Sequence, residues 1–292
     1  MYFQMVWIEQ RKLFHGRLFW IELGLLTLAV GLMFGGIYFA KSQFEAGNAN
    51  NGEGLVIEAD STQEIENQLL WPAGISNTFA ITSRLSAFLL IILAGTLVAQ
   101  EYTWRTISVW LSRGVPRPLF VLAKLSTILL ATFCLVGTAV FVGILISSGF
   151  SLRIAGTLPF SDINWGMIGL NILTISFSLL PYAVISFFIA IATRSAIASI
   201  GVGLAYITLI EPLMLQLLPL LGQQWETAVQ FLPGGMSRLF NFLLPQINAN
   251  AAPAVIPDGT LSMETAVFVI LLYILVFAGS GLLIFQRQDL GG

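Results

Sequence analysis

The stretch LSTILLATFCLVGTAVFVGILI, from Leu125 to Ile146, contains no charged residue. A helix needs about 20 apolar residues to cross a hydrocarbon layer of roughly 30 Å, and this run has that length without a break. Strands of a membrane barrel would appear as segments of about 10 residues alternating with a period of two. This run does not alternate, so it reads as a membrane-crossing helix. Five similar runs surround it. They are Leu18 to Ala40, broken only by Glu22, and about Phe79 to Ala99, with Arg84 near its start. Beyond it come about Ile168 to Ala192, carrying Pro181, then Ala196 to Leu218, interrupted by Glu211-Pro212, and Ala266 to Phe285. The expected fold class is all-α. It is a polytopic membrane protein with six transmembrane helices and a single domain over residues 1–292.

Composition agrees. Of 292 residues, 57% are apolar and 10% are charged, against roughly a quarter charged in soluble domains. Mean hydropathy is +0.86. These values exclude a soluble enzyme, a disordered chain and a basic nucleic-acid binder. The net charge of -2, without blocks of like charge, leaves nothing to grip a polyanion, so the expected surroundings are a lipid bilayer and not nucleic acid. The single cysteine, Cys134, excludes an intrachain disulfide and a cysteine zinc cluster. The single histidine, His15, argues against a histidine metal site or a His-based triad. The first run is too long for the h-region of a cleaved signal peptide, and no clear A-x-A site follows it. It is expected to be retained, with Met1 at the mature N-terminus.

Lys and Arg near the span ends set orientation. With the N-terminus in the cytoplasm, Arg11, Lys12, Arg17, Arg105, Arg113, Arg117, Lys124, Arg194 and Arg287 fall inside, nine of the thirteen basic residues. Lys41, Arg84, Arg153 and Arg238 fall outside. Six spans then return the C-terminus to the cytoplasm, and the expected location is the cell membrane. Two outer loops are long, 41–78 and 219–264. The first contains an Asn/Gly stretch, Gly47 to Gly54, expected to be flexible. The second holds the apolar piece Trp225 to Leu244, interrupted by Pro233-Gly234-Gly235. It is too short and broken to span, and reads as a re-entrant or interfacial hairpin before the last span. The link Thr193-Arg194-Ser195 is so short that the fourth and fifth helices must be antiparallel neighbours. There is no internal repeat, and no G-x-x-x-x-G-K-[ST] phosphate loop occurs. If ATP drives this protein, the ATPase is another chain.

Two segments outside the spans carry a pattern. In residues 1–17, Phe3, Val6, Trp7 and Phe14 share one helical face while Glu9, Arg11 and Lys12 lie elsewhere. A basic amphipathic helix with aromatic residues lies in the headgroup plane. It serves either as a topology anchor or as an interfacial elbow that takes part in conformational change. The second segment follows the second span: Glu101-Tyr-Thr-Trp-Arg105-Thr-Ile-Ser-Val-Trp-Leu-Ser-Arg113-Gly-Val-Pro-Arg117, then Lys124. Trp104, Ile107 and Leu111 fall at helical spacing, as do Thr103, Ile107 and Trp110. Gly114 is a good helix stop, with Pro116 just beyond. A short amphipathic helix at the inner surface is the reading, rimmed by charges. Those cations either serve a soluble partner or only obey the positive-inside rule.

The pattern Glu101, Arg105-Thr106, Leu111-Ser112-Arg113, Arg117 and Lys124 resembles the E…[GR]T…LLS-R…R…K signature of type-2 ABC (ATP-binding-cassette) exporter permeases. The six-span layout, the N-terminal amphipathic segment and the broken hairpin before the last span resemble that family too. Arg105 stands where many relatives have Gly. The resemblance implies that this link holds a coupling helix docking on an ATP-binding subunit, with Glu101, Arg105, Thr106, Arg113 and Arg117 in that role. It further implies a second permease copy or similar permease, with ATP and Mg held by the ATPase partner and no cofactor in this chain. No residue of the chain would then be catalytic, so it is expected not to be an enzyme. So few charges in the spans suit hydrophobic, amphipathic or peptide-like cargo.

Ionisable groups inside spans are costly and often functional. Glu22 lies about one turn inside the first span, where Arg17 or Lys12 could pair with it. Glu211 precedes Pro212 and caps a kink or faces an outer vestibule. Pro181 reads as a kink, with Ser176, Ser178 and Ser186 available to the freed backbone. Gly201-Val-Gly203 and Gly279-Ser-Gly281 permit close helix packing. An ATP-independent secondary transporter or channel would call for mid-depth acidic residues or two similar halves. A membrane-embedded enzyme would call for a clustered set of reactive groups. Neither pattern occurs, so an ABC exporter permease ranks first and the secondary transporter or channel second.

Overall fold

The computed structural model describes residues 2–50, 63–104, 106–112, 114–157, 164–237 and 261–288, with backbone alone at 44–50, 108, 111 and 223. Every named element among them is helical. The chain opens with α1 (Tyr2–His15) and turns at Gly16 into α2 (Arg17–Asn50). Next come α3 (Ala73–Thr103), the short α4 (Thr106–Ser112) and α5 (Arg117–Ile154). After them α6 (Trp165–Thr193), α7 (Ala196–Leu221), the short α8 (Gln223–Val229) and α9 (Met263–Arg287) complete the fold. Six of these, α2, α3, α5, α6, α7 and α9, are long and apolar enough to cross a membrane.

The bundle is built around α3 and α6, which pack chiefly on each other. In the apolar window of α6, 72% of residues are buried, against 6% in α7. Close approach is local. At Gly143 of α5 an added Cβ would lie 2.3 Å from the Thr78 side chain of α3, so only glycine allows that crossing. Ser186 of α6 donates to the Ile91 carbonyl of α3 at 2.7 Å and meets Ser199 of α7 at 2.9 Å. Ser186 thus ties three helices together and does not serve the backbone freed by Pro181, as the sequence suggested. Ser178 donates to its own helix at Ile175, and α6 stays continuous through Pro181. The expected turn between α6 and α7 is tight: Arg194 is left-handed at φ 54, and Ser195 caps α7 by accepting from the Ala198 amide.

Several helices exceed the apolar runs. Of the Gly47 to Gly54 stretch expected to be flexible, residues 47–50 continue α2 as helix, and residues 51–54 lie outside the described residues. α5 starts at Arg117, two turns before the apolar run, because Pro116 sets an extended N-cap and Pro118 suits a first turn. Arg117 and Lys124 therefore lie on the span helix itself. α7 is interrupted as Glu211-Pro212 suggested. A π-helical turn over Tyr206–Ile210 precedes them, and a 3-10 turn over Leu218–Leu221 ends the helix. Of the proposed hairpin, α8 and a helical turn at 233–237 are described, with Met236 packed on Ala266 and Ile270 of α9. Arg238 and the remainder to residue 260 lie outside the described residues.

Candidate functional site

The link between α3 and α5 is where charge and exposed surface meet. The sequence pattern drew one helix from Thr103 onward. The structure breaks it: α3 runs to Thr103, Trp104 caps it, and α4 begins at Thr106. Thr103 and Trp104 thus belong to the end of the span. A helix of seven residues is unstable alone, since nucleation is costly and few bonds follow. α4 is held by its inward side. Ile107 is buried, and Trp110 lies under the Lys12 ammonium of α1, 5.1 Å from ring centroid to nitrogen. Gly114, at φ +78, ends the link in a left-handed turn that a side chain would strain. The Val115 amide donates back to the Trp110 carbonyl at 3.3 Å. The outward side is open: Trp104 is 67% exposed and Val109 49%.

Behind α4 sits a cluster of two carboxylates and two ammonium groups. Glu101, near the end of α3, accepts from Lys124 at 2.8 Å and from Lys12 at 2.9 Å, both at Oε1. Its Oε2 accepts from the Thr106 hydroxyl of α4. Lys12 also donates to Glu9 at 2.9 Å, and Lys124 pairs with the second oxygen of Glu9. Lys124 completes its shell on the Leu97 carbonyl at 3.2 Å. Glu9 and Lys124 are each only 1% exposed. Burying an ion costs several kcal/mol unless opposite charge and hydrogen bonds surround it. Here each buried ion has at least two partners, and the four charges cancel. Burial pulls the Lys12 ammonium toward neutrality, but Glu9 and Glu101 outweigh it and hold its pKa above the ordinary lysine value. The cluster joins α1, α3, α4 and α5.

A second tie adjoins it. The Arg117 guanidinium donates to the Phe285 carbonyl at 2.8 Å and to the Gln286 carbonyl, at the C-terminal end of α9. A cation at those unpaired carbonyls is well placed against the helix dipole. Phe120 stacks on Phe285 at 5.5 Å and also lies under Lys124, which connects the two ties. Gln288 accepts from the Tyr102 hydroxyl at 2.8 Å and donates to the Ile191 carbonyl at 2.9 Å. The link ends of α3, α5, α6 and α9 thereby meet around one point.

Glu101 and Thr106 are thus brought together, with Arg117 in the separate tie to α9, while Arg105 and Arg113 lie outside the described residues. Glu22 and Glu211 stand apart. Glu22 is buried, and neither carboxylate oxygen has a hydrogen-bond partner. Its expected pairing with Lys12 or Arg17 does not form, because Lys12 turns to Glu9 and Glu101. Glu211 lies about 22 Å along α7 from its start. It accepts from the Tyr182 hydroxyl of α6 at 2.8 Å and from the Gly234 amide at 2.7 Å. It fastens the helical turn at 233–237 to the bundle just beyond the π-helical turn. Glu9 and Lys12 were missed as members of the site. In the aromatic stripe of α1, Phe3 and Trp7 point away from the protein. Met5, Glu9 and Leu13, spaced by four, form the buried face. That spacing was visible, with a carboxylate at its centre.

Residues 4–290 match the model of the family described as ABC-2 family transporter protein. The chain belongs to the ABC-2 transporter family. The match runs from α1 through α9. No curated protein matches the chain. As an ABC-2 family protein with six apolar helices, it is a multi-pass membrane protein and a transporter component.

Proposed function

We propose that this ABC-2 family chain is the permease of an ABC exporter, energised by a separate ATP-binding subunit that docks on the 100–118 link. The observation that carries this reading is the two-sided build of α4. Its outer side presents Val109, beside the exposed Trp104 at the end of α3, and its inner side is anchored through Thr106 and Trp110 to the charge cluster. Charge-assisted bonds are short and directional, so displacement of α4 is passed on as movement of helices, with little lost in side-chain rearrangement. Through Glu101 the push reaches α3, through Lys12 and Glu9 it reaches α1, and through Lys124 it reaches α5. Arg117 extends it to α9. Glu101 in this scheme fastens the link and does not touch the partner.

Transport would follow alternating access between two permeases, two copies of this chain or one with a similar subunit. ATP and Mg would sit in the partner. The termini would face the cytoplasm of the cell membrane, with α1 lying in the headgroup plane. Hydrophobic, amphipathic or peptide-like cargo suits the apolar spans.

The test is a pull-down of tagged full-length chain from native membranes. An ATPase should co-purify, and Val109→Asp should release it while membrane insertion is unchanged. If the variant inserts normally and keeps its ATPase, docking on α4 is wrong. Charge reversal at Glu101 should release it as well, but by unseating α4.

A further inference from the structure

Between the α1–α2 turn and the end of α3 lies a cavity of about 470 Å³, walled in part by the charge cluster of the coupling scheme above. This is within the size range of small-molecule sites. Its floor is apolar, formed by Phe19, Leu93 and Leu97, and its rim carries Lys12, Arg17 and Trp104. The carboxylates on its wall, Glu9 and Glu101, are already neutralised by Lys12 and Lys124. Arg17 is exposed and has no ion-pair or hydrogen-bond partner among the described residues. The ionisable wall therefore sums to one positive charge with His15 neutral, and the uncompensated charge is the Arg17 guanidinium.

The level of this cavity is fixed by its neighbours. Trp7, Phe14 and Trp20, all outward-facing, flank the elbow. Aromatic residues gather at the headgroup level, with a positive residue beside them. Further along α2, exposed Leu25, Leu28 and Leu32 continue an acyl-chain surface. A ligand with one negative charge at headgroup depth and hydrocarbon below it matches both halves of the site. Guanidinium is suited to a phosphodiester through its planar fork of donors, and basic pockets between membrane helices on the cytoplasmic side take such heads.

We infer that this elbow cavity is a binding site for the headgroup of an anionic phospholipid, with Arg17 as its phosphate ligand. Occupancy would bear on the rim residue Lys12, and so on the cluster that seats α4. The lipid site rests on the proposed orientation, with α1 on the cytoplasmic side, and stands or falls separately from ATPase docking.

Native mass spectrometry of the full-length protein in detergent tests it. The protein is titrated with phosphatidylglycerol or phosphatidylcholine of identical acyl chains. Phosphatidylglycerol should bind more tightly. Arg17→Gln should weaken it by about fivefold, the effect of one cation near a charged lipid surface. Arg17→Lys should retain most of it, and Leu97→Trp, which fills the cavity, should weaken it too. Inorganic phosphate should not displace the lipid. Equal binding of the two lipids, undiminished phosphatidylglycerol binding by Arg17→Gln, or displacement by inorganic phosphate would each overturn the site. Arg17 lies at the surface, so its variants decide the matter even if Leu97→Trp fails to fold.

Discussion

Lys124 shows how one residue can decide a site. It occupies a position almost free of solvent, yet three acceptors surround it. Lys124→Met would leave Glu9 and Glu101 with Lys12 alone, and Lys12 is partly exposed. Removing one partner of a buried pair costs about 3–5 kcal/mol, so the purified protein should melt at a markedly lower temperature in a thermal-shift assay. Lys12 gives a pH signature. Its pKa is raised when α1 is docked, so its contribution is complete below the ordinary lysine value of 10.5 and fades as pH climbs through the raised value. The melting difference between wild type and Lys12→Met should stay constant at neutral and mildly alkaline pH. It should narrow only above 10.5. At this scale the sequence was partly legible. Glu101, Thr106 and Arg117 stand out by resemblance to a permease signature, and each of them makes a tie between elements. Glu9 stood on the visible Met5–Glu9–Leu13 spacing, but a carboxylate on an amphipathic helix reads as solvated until the neighbouring helix closes over it.

At the scale of elements, α4 is the test piece. Its stop at Gly114 was readable, since a left-handed residue after a short helix favours glycine. Its start was not, because the helical spacing of Trp104, Ile107 and Leu111 continues smoothly across the break at Trp104. Only the Thr106 hydroxyl, drawn to Glu101, marks the new helix. Gly114→Val should strain the turn by about 1–2 kcal/mol and loosen the outer end of α4. Limited proteolysis at the link should accelerate while the spans stay protected. The spans themselves were legible from apolar length. Their ends were not, since Arg117 and Lys124 look like loop residues until their partners are known.

For the whole molecule, the six crossings and the all-helical class follow from composition and run length, because lipid leaves few other ways to satisfy a backbone. Which helices lie at the centre was hidden: α6 and α7 have similar apolar character, yet one is buried and the other exposed. In the coupling scheme proposed above, the push reaches α9 through Arg117. Arg117→Gln should preserve insertion and ATPase association but reduce transport per ATP hydrolysed, measured in proteoliposomes, because α9 would no longer follow α5. The tie that Arg117 makes also has a consequence for biosynthesis. Its acceptor Phe285 lies 168 residues downstream, and Tyr102 waits 186 residues for Gln288. During translation the early crossings must sit in the bilayer with these donors unclaimed, and this end of the bundle can lock only once the final crossing has been threaded. A chain stalled before that moment would present an open, loosely joined bundle to the cell's quality-control proteases.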